Sequence, residues 1–247
     1  MTVRNEPVDI AVDDQVIAGT FFIPANAVGG VLFAHGWGGN QQQYLRRASA
    51  VADLGYLCLT FDLRGHARRE EQRETVSRAE NLRDLLAAYD LLTGRPGVDS
   101  SLIGIVGSSY GAYLAAILTS LRPAAWMALR APALYKDAGW ERPKVQLHQD
   151  PDFANYRKRP VAPESNRALR ACAAFRGDVL VVESEHDDTV PHQVIENYLR
   201  ACKAARSLTL RVVNGADHGL TEDAWQREST SFLLQWLTEH RFAVRAG

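Results

Sequence analysis

Cysteine is scarce in this 247-residue chain, which has only Cys58, Cys172 and Cys202. An odd count without metal-type spacing argues against a disulfide framework, so the thiols are expected reduced and buried. An excess of one charge is also missing. The 28 basic and 29 acidic side chains leave a net charge of −1, which gives no electrostatic ground for nucleic acid or an anionic membrane as partner. No run is long and apolar enough to span a bilayer. Residues 1–14 carry acids and polar side chains where a secretory signal would have an apolar core. With reduced thiols, that makes the cytoplasm the expected compartment. Repeats and low-complexity tracts are absent. No grouping of histidines and carboxylates has ligand spacing, so neither metal nor cofactor is expected.

What is present is ordinary for a globular protein: 46% hydrophobic and 23% charged residues. The length suits one α/β domain over 1–247 with a full core. Short β-rich runs alternate with longer amphipathic stretches. Val8–Val12 and Val16–Ile23 flank Asp13-Asp14 and predict an antiparallel hairpin. Strands are expected at Val31–Ala34, Tyr56–Phe61, Leu102–Val106, Trp126–Arg130, Val179–Glu183 and Leu208–Val213. Helices are expected at Gln43–Leu54, Ser77–Leu92, Tyr110–Leu121, Gln193–Ala204 and Ala224–His240. Such alternation predicts a mainly parallel, doubly wound sheet with helices on both faces. Residues 131–163 break the rhythm with proline, charge and aromatics, including Tyr135, Trp140 and Phe153. The excursion follows a strand's carboxyl edge, where α/β sheets place their crevice, and is expected to roof the site as a short cap-like insertion.

The run Gly107-Ser108-Ser109-Tyr110-Gly111 lies between a strand and a helix. A chain that reverses this sharply lifts a hydroxyl clear of the sheet edge and needs almost no side chain two residues on either side. Ser109 is therefore the candidate nucleophile, and Ser108 is expected to turn away from the substrate. A serine hydroxyl needs a base, and the base needs an orienting carboxylate. Two later strands run into suitable turns: Glu185-His186-Asp187-Asp188-Thr189-Val190-Pro191, then Asp217-His218-Gly219. The order serine, acid, histidine is that of one particular serine-triad fold.

With these motifs the chain resembles the α/β-hydrolase superfamily over nearly its whole length, and its small serine esterase and dienelactone-hydrolase-like branches in particular. The acid loop is similar to that family's Asp-x-x-Val-Pro pattern, which implies Asp187 as the acid, with Asp188 its neighbouring alternative. Asp217-His218-Gly219 matches the family's base turn and implies His218 as general base. His35-Gly36-Trp37-Gly38-Gly39 resembles the oxyanion loop, so the main-chain N–H groups of Trp37 and Tyr110 are the implied donors. Asp62-Leu63-Arg64-Gly65-His66 looks like the family's turn after the next strand, although Ala67 and Arg69 replace the usual residues beyond it.

The resemblance implies a serine hydrolase without cofactor, acting on small to medium carboxylic esters through an acyl-enzyme. A thioesterase, acyltransferase or peptidase would use the same residues. A non-catalytic hydrolase-like sensor is the reading from another class, set against a serine, acid, base and both donor positions that are all present.

Overall fold

The structure is a computed structural model that describes residues 3–245, with side chains through residue 240. Its eight strands are β1 (Arg4–Val12), β2 (Gln15–Ile23), β3 (Gly29–Ala34), β4 (Tyr56–Phe61), β5 (Ile103–Ser108), β6 (Trp126–Arg130), β7 (Asp178–Ser184) and β8 (Ser207–Val213). They form one sheet in the order β1-β2-β4-β3-β5-β6-β7-β8. β2 runs antiparallel to both β1 and β4, and every other pairing is parallel. The predicted mainly parallel sheet with an N-terminal hairpin is therefore what the chain builds. The strand order reverses between β3 and β5, so the loops leaving those two strands diverge and open a crevice at their carboxyl ends.

Seven helices complete the described fold: α1 (Leu45–Asp53), α2 (Arg78–Thr93), α3 (Tyr110–Leu118), α4 (Phe153–Arg157), α5 (Arg167–Ala174), α6 (His192–Ala201) and α7 (Asp223–Arg245). Alternate strand residues feed two cores. Leu32, Leu57, Leu59 and Phe61 pack with α2, α3, α5 and α6, while Val31, Phe33, Tyr56 and Cys58 pack with α1 and α7. All three cysteines are free and buried. No helix among the described residues is long and apolar enough to cross a membrane. β8 ends the sheet on one side, with Leu208 and Leu210 41% and 37% exposed.

The elements depart from the sequence expectations where local polar chemistry intervenes. A 3-10 turn, Gln41–Tyr44, precedes α1, and the Asn40 side chain caps it by accepting from the Gln42 N–H. The third predicted helix stops at Leu118 rather than Leu121. There the Thr119 and Ser120 hydroxyls donate to the Ala116 and Ile117 carbonyls, and Pro123 follows. α5 was not expected at all. Asn166 starts it by accepting from the Ala168 and Leu169 N–H groups.

Residues 131–163 are partly helical and tightly tied down. Arg78, fully buried at the start of α2, donates to the Lys136 and Ala138 carbonyls at 2.6 and 2.7 Å. The Lys144 N–H donates to the Val76 carbonyl, and Arg157 reaches the Thr189 carbonyl in the acid loop. Ser77 and Glu80 form a reciprocal cap at the head of α2.

Candidate active site

Ser109 links β5 to α3 with φ 51° and ψ −114°, a positive-φ conformation that a side chain adopts only under constraint. The constraints are visible. Its N–H donates to the Arg130 carbonyl, and its own carbonyl accepts from Tyr113 and Ala133. A Cβ at Gly107 would lie 2.5 Å from the Ala112 Cα, and one at Gly111 would run into the Ala34 and His35 carbonyl oxygens. The flanking glycines are thus required by close backbone approach.

The loop after β8 brings the His218 imidazole to this turn, with Nε2 3.0 Å from the Ser109 Oγ. Its Nδ1 lies 2.7 Å from Asp187 Oδ2, on the loop after β7. Asp187 is fixed in turn, because its other oxygen accepts from the Thr189 and Val190 N–H groups at 2.9 and 2.7 Å. Asp188, the alternative acid, points elsewhere and accepts from the Thr189 hydroxyl. The three side chains expected from the motifs therefore converge from strands β5, β7 and β8, with Asp187 rather than Asp188 facing the histidine.

The loop from His35 to Gly39 passes directly over the turn; a Cβ at Gly36 would stand 3.4 Å from the Ser109 Cβ. The Tyr110 N–H is the first of α3 and has no acceptor within that helix. The Trp37 ring packs edge-on against the rings of Tyr110 and His66, at 5.5 and 4.6 Å between centroids. His35 holds the loop's shape: its Nε2 accepts from the Leu63 N–H and its Nδ1 donates to the Gly36 carbonyl. Burial, reinforced by neighbouring His66, pushes its pKa down to about 3, so the ring is neutral. The neighbouring turn is anchored by an ion pair between Arg64 and Asp84, 2.6 Å apart and both buried. Asp62 accepts from the Gln41 main chain and side chain there as well.

Several residues that border the site carried no motif. Lys144, in the 131–163 excursion, is 2% exposed and holds its ammonium 4.4 Å from the Trp37 ring centroid and 5.4 Å from those of Tyr110 and Tyr135. Burial first, then the charges of Arg157, Arg73 and Arg78, bring its pKa down to about 7. A cleft of ≈ 280 Å³ opens beside Ser109 and His218, walled by Trp37, Tyr44, Arg47 and Arg130 among others. Ser108, expected to turn away, also borders this cleft, and its hydroxyl accepts from Arg130 Nε at 2.6 Å. Parallel pairing of β5 with β6 sets Arg130 directly opposite Ser108, which explains the contact. Among the described residues no group of three or more His, Cys, Asp or Glu side chains is placed to hold a metal.

Known proteins agree with this architecture. An uncharacterised protein of Mycobacterium tuberculosis is 27% identical over 238 residues, which cover 94% of this chain and 79% of the relative. A dienelactone hydrolase from Anabaena variabilis superposes with a TM-score of 0.69 at 19% identity, covering 96% of this chain and 98% of that one. An acylaminoacyl peptidase of Pyrococcus horikoshii reaches 0.72 at 14% identity, over 96% of this chain and 42% of the larger protein. Residues 42–241 match the family model described as the prolyl oligopeptidase family. The chain belongs to that family, and it is a hydrolase built on the α/β-hydrolase fold.

Proposed function

We propose that the protein is a serine hydrolase that cleaves carboxylic esters of small to medium size through an acyl-enzyme. The observation that carries this reading is the unbroken path from Ser109 Oγ to His218 Nε2 and from His218 Nδ1 to Asp187, at 3.0 and 2.7 Å. Ser109 Oγ attacks the ester carbonyl as His218 Nε2 takes its proton, forming the C–O bond of a tetrahedral adduct. Asp187 keeps the Nδ1 proton in place and stabilises the imidazolium. The main-chain N–H groups of Trp37 and Tyr110 receive the oxyanion, each such donor contributing roughly 3 kcal/mol to the lowered barrier. Collapse of the adduct expels the alkoxide, which leaves as the alcohol with the proton from His218. Water, deprotonated by the same histidine, then attacks the acyl group and releases the acid and Ser109.

Peptide hydrolysis by the same residues is the second reading. Family membership favours it, because the matched family is described by an oligopeptidase. The cleft volume of ≈ 280 Å³ favours a small substrate in either case.

The test is covalent labelling with a neutral fluorophosphonate together with turnover of 4-nitrophenyl acetate and of a peptide anilide. Labelling and turnover of the acetate are expected in the wild type. In Ser109→Ala kcat should fall by about 10⁶-fold, with labelling abolished. Labelling that persists in that variant would show another nucleophile, and a preference for the anilide would favour the peptidase.

A further inference from the structure

The cleft beside Ser109 has an unusual charge balance. Two of its walls are guanidinium groups, Arg47 from α1 and Arg130 at the end of β6, and no carboxylate lines it. Neither arginine makes an ion pair among the described residues. Arg47 Nε donates to the Thr230 hydroxyl at 3.1 Å. Arg130 donates to the Ser108 hydroxyl and the His218 carbonyl, each at 2.6 Å. All these acceptors are neutral. Burial lowers the proton affinity of both guanidiniums, and for Arg47 the charge of Arg130 lowers it further. An arginine nonetheless stays charged at any physiological pH, so the two guanidiniums border the cleft without an ion-pair partner. Asp187 and Asp217 act on Arg130 only from a distance, and each is already engaged, with His218 and with Thr221. Outside the cleft lining, the Lys144 side-chain nitrogen lies 4.4 Å from the Trp37 ring centroid with no hydrogen-bond partner of its own among the described residues. In a chain whose net charge is −1, this concentration of positive charge at one rim is local.

We propose that this cleft is an anion subsite and that the ester cleaved at Ser109 carries a carboxylate, held by Arg47 and Arg130. The inference rests on the serine-hydrolase reading and narrows its substrate class. Guanidinium groups bind carboxylates through charge-assisted, often bidentate hydrogen bonds, and two of them line the cleft that also holds Ser109. Arg130 also touches the histidine loop through the His218 carbonyl, so a bound carboxylate would share its guanidinium with that loop.

Two ester pairs test this and locate the charge. Mono-4-nitrophenyl glutarate against its methyl ester places the carboxylate on the acyl side. 4-Acetoxybenzoate against methyl 4-acetoxybenzoate places it on the leaving-group side. Rates are normalised to alkaline hydrolysis. In one pair the anionic member should have the higher kcat/KM by ~10-fold or more at low salt, and the ratio should shrink with added NaCl. Arg47→Gln should reduce that ratio towards one, chiefly through KM. Should the variant fail to fold, the wild type still decides: glutarate should slow fluorophosphonate labelling and glutaramide should not. A protein that labels but shows no anionic preference in either pair, or is protected equally by both compounds, overturns the subsite alone. A protein that neither labels nor turns over any ester overturns the hydrolase reading and the subsite with it.

Discussion

Asp187 and Asp188 are adjacent carboxylates in opposite surroundings. The Asp187 side chain is 5% exposed and spends one oxygen on two main-chain N–H groups and the other on His218. Asp188 is exposed, and among the described residues its carboxylate accepts only from the Thr189 hydroxyl. Asp187→Asn is therefore expected to lower kcat by about 10⁴-fold, because the amide cannot hold the Nδ1 proton in the productive tautomer. Asp188→Asn should stay within about twofold of wild-type kcat/KM, since no bond to the site depends on it. Steady-state kinetics on a single activated ester checks both. The candidate nucleophile was legible in the sequence because close backbone approach dictates the glycines of its turn, whereas Asp187 and His218 stood out through the resemblance of their loops to family motifs. Arg47, Arg130 and Lys144 were not: Arg47 belongs to the pair Arg46-Arg47, which reads as solvated surface, and a single charge such as Arg130 or Lys144 has no local signature. Arg130 reaches the cleft only because β5 and β6 pair with Ser108 opposite it, a fact of register invisible in the chain order.

The same division holds for elements. Strands with largely apolar runs, such as Tyr56–Phe61, were plain from composition because both faces are buried. α5 was obscured by its eight-residue length and by Arg167 and Arg170 within it. The 131–163 excursion was recognised from its composition, but its fastening was not. That depends on Arg78, which lies on α2 more than fifty residues earlier. Arg78→Met would leave the Lys136 and Ala138 carbonyls without their donor and is expected to cost about 3 kcal/mol. It should also speed limited proteolysis between residues 136 and 150. Urea unfolding and timed trypsin digestion measure the two effects separately, and an unchanged cleavage rate would show that the aromatic packing of Tyr135 on Phe153 suffices to hold the segment.

For the whole molecule, buried polar groups give stability a pH dependence whose sign can be worked out. His35 has its pKa depressed to about 3 in the fold, from 6.5 when free. Above pH 6.5 the ring is neutral in both states. As the pH falls from 6.5 towards 3, the unfolded chain binds a proton that the folded chain refuses, so stability declines by up to several kcal/mol over that window. Denaturant titrations at pH 7.5 and 4.5 should show this loss, and it should be smaller in His35→Gln. The two sheet margins offer a different consequence. β1 carries Arg4, Glu6 and Asp9, charges that discourage another chain from adding on. β8 offers Leu208 and Leu210 to solvent beside an open row of main-chain hydrogen-bonding groups. Heat-stressed protein should therefore begin to cluster through β8, and light scattering should show Leu208→Lys delaying turbidity without a matching change in melting temperature.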